Sequence, residues 1–367
     1  MNQNKFSSTR LEAARRRRGL TKITLADLSA INTKRLYTLE SGRAQPTEGE
    51  VESLAFTLKF PISFFYRPDL EIPATGTASF RSMKSMSASE RDAALAAGAI
   101  AFELSAWIEE LFELPATHMP DLRDFHPQQA AIAIRSFWKI GERPIGNMIR
   151  LLEANGVKVF SLAEQCRRLD AFSLWHREKP FVFLNTLKTA EHSRMDAAHE
   201  LGHLLLHRHG VPRGRDMEKD AQAFAGAFLM PEDSVRGIVH RPASPSINQL
   251  IELKKHWGVS VAALAYRLHE LGILTDWYYR TICIQLSEYG RGKEPDGMTR
   301  DESPLLEKVF TEMWKSGISK TDVARRLDIY PADLDTMLFG LGKELPTTVS
   351  PSSDSDAREI RSRFKVV

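Results

Sequence analysis

One pentapeptide constrains this chain more than any other feature: His199-Glu200-Leu201-Gly202-His203. On a helix, residues four apart lie one turn apart on one face, so both imidazoles can reach a single cation. Glu200 projects beside them, where a carboxylate can hold the proton of a metal-bound water. Met195, Ala198, Leu201, Leu204 and Leu205 are apolar, which predicts a helix over about 193–207 packed in a core. A catalytic zinc needs a third protein ligand and an open position. Glu218, fifteen residues after His203, is the candidate, with Gln222 one turn further to orient a ligand. Asp220 competes but sits about 200° around the helix from Glu218. His209 stands ten residues after His199, but Leu206 occupies the position where that spacing needs a Gly turn. His207 extends the histidine face by one turn and suits hydrogen bonding better than ligation.

The patterns around this motif predict a mainly α chain with a small β-sheet, an α+β class. Strands are expected at 157–162, 170–175 and 180–185, the last two forming a hairpin across Arg177 and Glu178. The strand ahead of the motif is expected to offer an edge to an extended peptide. Helices are expected at 87–114, 127–138, 144–155, 218–230, 247–256, 260–271, 276–289 and within 304–341. Residues 69–85 and 291–303 read as linkers, which divides the chain into units at 1–68, 86–290 and 304–342. Residues 343–367, rich in Pro, Thr and Ser, are expected to be a mobile tail.

Charge is uneven. Residues 1–68 hold 12 Lys/Arg against 6 Asp/Glu, whereas the remainder holds 38 against 41. A basic N-terminal unit suits contact with a polyanion. It divides into short helices at 10–18, 21–28, 33–40 and 48–58, with an apolar lid at 61–65. The segment from Arg10 to Pro46, with G-L-T opening the second helix and T-L-E-S-G closing the third, resembles the Cro/phage-repressor (XRE) helix-turn-helix family. Ala30 stands where that family usually has Gly. The resemblance implies that helix 33–40 lies in the DNA major groove. Lys34, Arg35, Tyr37 and Thr38 match its base-reading positions. Lys22 and Arg43 are phosphate candidates, and Arg15 to Arg18 a basic flank on the backbone.

The blocks D-A-A-H-E-L-G-H-L-L-L-H and E-K-D-A-Q-A-F-A-G-A-F-L-M-P resemble the ImmA/IrrE-type zinc metallopeptidases, as do S-F-R-S, D-A-F-S-L-W and P-F-V-F-L-N upstream. The resemblance covers about 78–290. It implies a zincin-like fold, His199, His203 and Glu218 as zinc ligands, and Glu200 as general base. The family's activity is site-specific cleavage of repressor proteins. Tyr266 and His176 are the candidates to stabilise an oxyanion.

Residues 317–337 can be laid on 19–39 at a constant offset of 298. Core positions agree, but Lys34, Arg35 and Tyr37 become Ala332, Asp333 and Asp335. Carboxylates at those positions would repel phosphate, so this segment is expected to pack or dimerise rather than bind DNA.

Together these features predict a DNA-binding transcriptional regulator whose zinc-dependent metallopeptidase domain cleaves a protein partner, such as a repressor, or itself. Two alternatives stand beside it: a non-proteolytic regulator that senses a metal or small molecule, and an antitoxin-like repressor of a toxin operon. The expected partners are double-stranded operator DNA, a protein substrate and a second copy of the chain, with no membrane. No apolar run reaches 18 residues, residues 1–10 form no secretory signal, and two cysteines, Cys166 and Cys283, build no disulfide framework. The cytoplasm is the expected compartment.

Overall fold

The computed structural model describes residues 5–74, 79–80, 87–162, 170–207, 214–239, 245–290 and 293–338. Cys166, His209 and the tail at 343–367 lie outside the described residues. Within them the chain is mainly helical with one small sheet, an α+β fold. No described helix is long and apolar enough to cross a membrane.

The N-terminal unit contains α1 (Ser8–Arg17), α2 (Lys22–Ser29), α3 (Thr33–Glu40), α4 (Glu48–Leu58) and a 3-10 turn (Ile62–Tyr66). Ser7, Thr21, Asn32 and Thr47 each cap a helix start with a side-chain oxygen. Leu11, Leu25, Leu36, Leu39, Leu54 and Phe64 close its core with no exposed surface. Arg15 donates to both oxygens of buried Glu40, at 2.9 and 2.6 Å, locking α1 to α3.

The expected basic flank is corrected here, because all four arginines are engaged within the chain. Arg15 holds Glu40, and Arg16 pairs with Glu12 at 2.6 Å and Asp92 at 3.4 Å. Arg17 bonds Thr336 at 2.9 Å, and Arg18 grips Asp333 with two bonds of 2.7 and 2.8 Å. Much of the N-terminal charge surplus is therefore answered by carboxylates distant in sequence.

A 24-residue helix, α5 (Ala88–Leu111), packs along α1 and sets Gly98 and Phe102 against the Phe172, Phe181 and Phe183 rings on one face of the sheet. The strands are β1 (Ser79–Phe80), β2 (Lys158–Ser161), β3 (Ala171–His176) and β4 (Lys179–Leu184), in the order β1-β3-β4-β2. β1 falls inside the segment read as a linker, since two residues carry no periodicity. β3 and β4 form the expected hairpin, turning on Arg177 and Glu178 at φ 48° and 62°. β4 does not offer the expected free edge. It is central, antiparallel to β3 and parallel to β2. Its near-continuous burial is the mark of a strand covered on both faces.

Helices α6 (Pro127–Phe137) and α7 (Met148–Ala154) precede β2, and α8 (Ala190–Leu206) follows β4 and covers the opposite sheet face. α9 (Gly214–Leu229) packs along α8 and α6. The rest comprises α10 (Glu232–Ile238), which was too short to show a period, then α11 (Ile247–Trp257), α12 (Val261–Glu270) and α13 (Asp276–Glu288). Three further helices end the described chain: α14 (Pro304–Lys315), α15 (Lys320–Leu327) and α16 (Pro331–Leu338).

Residues 293–303 form a strap rather than a loose linker. Asp301 accepts two bonds from Arg194 of α8, at 2.9 and 2.6 Å, and one from the Met148 amide at 3.0 Å. Glu294 and Glu191 flank buried Lys254, each at 3.0 Å. Arg300 reaches the Ser193 hydroxyl at 2.7 Å. Beyond the strap, α14–α16 dock on the N-terminal unit through Arg18–Asp333 and through Arg67–Asp328 at 3.2 Å.

Candidate metal centre

Thr189 caps α8, its hydroxyl accepting from the His192 amide. Every residue from Ser193 to Leu206 on this helix is buried, so the His-Glu-x-x-His turn lies inside the protein between sheet and α9. Gly202 explains how α9 comes so close. A methyl there would lie 2.9 Å from the Phe224 ring and 3.3 Å from the Ala221 Cα. The close approach brings the first turns of α9, with Glu218, over the two histidines.

The three residues converge. His199 Nε2 lies 3.1 Å from His203 Nε2. Glu218 Oε2 lies 3.3 Å from the first imidazole, and its Oε1 3.4 Å from the second. A tetrahedral zinc with ligand bonds of about 2.1 Å requires donor atoms about 3.4 Å apart, so these spacings fit such an ion. The other imidazole nitrogen of His203, Nδ1, shares a 3.0 Å hydrogen bond with His207 Nδ1. That contact orients the ring and leaves Nε2 toward the site. Burial and the neighbouring His203 lower the His207 pKa to about 4, so its ring is neutral. Burial raises the Glu218 carboxyl, but hydrogen bonds to His199 and His203 outweigh it and hold the group down at about 2. The donor set is two imidazoles and one ionised carboxylate, the composition of a His₂Glu zinc site.

Glu200 is fully buried, and its Oε2 accepts from the Ser173 hydroxyl at 2.6 Å. Ser173 was present in the D-A-F-S-L-W block, but nothing in that pattern ties it to a residue 27 positions later. Asp220 stays out of the trio, 3.9 Å from His207 Nε2 and half exposed. Gln222 is half-buried on α9. His176 stacks on Phe102 with centroids 4.0 Å apart, and Tyr266 meets Tyr279 edge to face, so each expected oxyanion partner is engaged with another ring. A second grouping, Asp170, His192 and Asp196, also places ligand-type atoms together. Lys188 pairs with one of its members, its ammonium 2.5 Å from Asp170.

The DNA-reading candidates divide in two. Lys34, Tyr37 and Arg43 are exposed. Lys22 stands 3.4 Å from Glu40 and over the Tyr37 ring, and Thr38 bonds the Arg35 carbonyl. Arg35 does not project freely from α3. Glu50 receives two 2.8 Å bonds from it, and the Gln45 carbonyl a third at 2.7 Å.

Two imidazoles and a carboxylate on adjoining helices are a donor set suited to a metallopeptidase-type domain. Residues 152–269 match the family model of the M78 peptidases, described as the IrrE N-terminal-like domain. That span contains both histidines, Glu200 and Glu218. No curated protein matches the chain.

Proposed function

We propose that this chain is a DNA-binding regulator carrying a zinc-dependent peptidase centre. The observation that carries the reading is the convergence of His199, His203 and Glu218 with Glu200 on the adjoining helical position. These three residues would hold the ion, which when bound supplies Lewis acidity to a scissile carbonyl and to the attacking water. Glu200 then takes the proton of that water and passes it to the leaving amine. His207 keeps His203 in the orientation that ligation needs. The N-terminal unit supports the regulatory half, because α3 exposes Lys34 and Tyr37 on a helix-turn-helix frame. The substrate is a protein partner, such as a repressor, or the chain itself.

One observation favours a sensing role alongside proteolysis. The strap binds α8 at Glu191, Ser193 and Arg194, just before His199, and leads directly into the helices that dock on α1. Occupancy of the metal centre can thereby reach the DNA-binding unit.

Metal analysis and a cleavage assay test the reading together. Wild type should carry one zinc per chain, and His203→Ala should lose it. Glu200→Gln should keep zinc and lose cleavage of repressor proteins encoded nearby. Full zinc in His203→Ala rejects the ligand assignment. Equal cleavage by wild type and Glu200→Gln rejects the general base.

A further inference from the structure

Ser173 stands on β3, whereas Glu200 stands on α8, and the bond between them is short. At 2.6 Å it lies at the short end of the range for O–H···O hydrogen bonds. Both side chains are almost fully buried, at 2% and 0% exposure, so no water competes for either partner.

The strand makes this contact specific. Side chains alternate along β3, so Phe172 and Leu174 face one way, and Phe172 lies against Gly98 of α5. Ser173 and Trp175 therefore face α8. Trp175 Nε1 donates to the Leu204 carbonyl at 3.2 Å, one helical turn beyond Glu200. Two residues of strand cover about 6.7 Å and four of helix about 6 Å, so the two contacts keep strand and helix in step. The pair of contacts ends at Glu200, the residue that follows His199 on the helix.

We propose that Ser173 is a positioning residue: it fixes one oxygen of Glu200, and so fixes the carboxylate that must meet the attacking water. The proposal rests on the reading of Glu200 as general base. The Ser173 hydroxyl meets Glu200 twice, at Oε2 at 2.6 Å and at the backbone carbonyl at 3.3 Å, so its effect should pass through Glu200. A serine that merely filled core space would act independently of residue 200.

The test uses full-length, zinc-loaded protein and acetohydroxamate, whose hydroxyl offers a hydrogen bond to a carboxylate beside the ion. Zinc stoichiometry and hydroxamate dissociation constants are measured for wild type, Ser173→Ala, Glu200→Gln and the double variant. Zinc should stay at one per chain throughout. Ser173→Ala should weaken hydroxamate about fivefold, the scale of one hydrogen bond, and should add nothing in the Glu200→Gln background. Ser173→Thr, which keeps the hydroxyl, should restore affinity to within about twofold. Ser173→Cys, near-isosteric with a weak donor, replaces alanine if that variant loses its helical circular dichroism. The same fivefold loss on the Glu200→Gln background overturns the proposal and leaves the peptidase reading intact. Hydroxamate affinity unchanged by Glu200→Gln overturns the general-base reading and the proposal with it.

Discussion

Ala30 and Asp328 share one backbone conformation, left-handed at φ 54° in both, and lie 298 positions apart. Each is the C-terminal cap of the second helix in a three-helix unit. The correspondence runs through the whole unit at that offset. α2 and α15 start at Lys22 and Lys320, α3 and α16 start at Thr33 and Pro331, and α1 and α14 end at Arg17 and Lys315. Gly19 and Gly317 both take positive φ, at 65° and 81°. Side chains at the third helix differ in use. Arg35 in the first unit is held by Glu50, while its counterpart Asp333 is clamped by Arg18 of the first unit.

Ala30 bears a conformational cost that glycine avoids. Ala30→Gly should raise the unfolding free energy by about 1 kcal/mol, the penalty of a β-carbon in the left-handed region. Urea denaturation checks this, and no gain would mean that the turn is relaxed as it stands.

Asp333 is expected to govern docking of the C-terminal helices. It is buried between Arg17 and Arg18, and breaking a buried pair costs up to about 3–5 kcal/mol. In Asp333→Ala, amide hydrogen exchange over α15 and α16 should accelerate while α8 stays protected. Unchanged exchange at 320–338 would show that apolar packing alone holds the module.

Gly202→Ala should disturb the candidate metal centre without altering any of its three proposed ligands. The new methyl meets the Phe224 ring at 2.9 Å, so α9 must shift and carry Glu218 with it. Overpacking of this kind costs about 1–3 kcal/mol. Zinc affinity should fall at least about tenfold, a loss of 1.4 kcal/mol, measured by competition with a chelator. Wild-type affinity would refute the link between helix spacing and ligand placement.

Glu153 predicts a pH dependence. Burial raises its carboxyl to about 7, against the hydrogen bonds from Ser303 and the Leu305 amide. The folded state then binds the proton more tightly than the unfolded chain does. The resulting stability is present below about 4.5, declines as pH rises, and is gone above about 7. The change amounts to about 3 kcal/mol at most. Urea midpoints at pH 5.5 and 8 should differ in wild type, and Glu153→Gln should reduce that difference. An identical pH profile for the variant would exclude this group.

DNA affinity should follow which cations are free. Arg43 is exposed, so Arg43→Ala should flatten the slope of log affinity against log salt by about one. Hydrogen bonds from Arg35 hold the Glu50 carboxyl at about 2, so it stays ionised and keeps its grip at neutral pH. Glu50→Gln should loosen Arg35 and tighten binding to any duplex. Gel-shift titration across salt concentrations measures both variants, and weaker binding by Glu50→Gln would show that Arg35 needs its present position.

Local chemistry made much of this molecule legible from its residues alone. Thr21 announces a helix because a hydroxyl can cap amides two or three residues away, and His199 and His203 share a face because a helix repeats every 3.6 residues. The 298-residue offset was visible for the same reason, since core positions keep their spacing. Distant partners were not encoded in any such spacing. The arginines at 15–18 look like a phosphate-binding run until Glu40, Asp92 and Asp333 are brought beside them. β4 looks like an edge until β2 pairs with it from the other side. Ser173 looks like one more strand residue until α8 crosses the sheet. Caps, periods and ligand spacings act over a few bonds of chain, so the sequence by itself determined them. Which carboxylate neutralises which cation, and which hydroxyl holds Glu200, was decided only by tertiary structure, because only folding sets the distances between residues far apart in the chain.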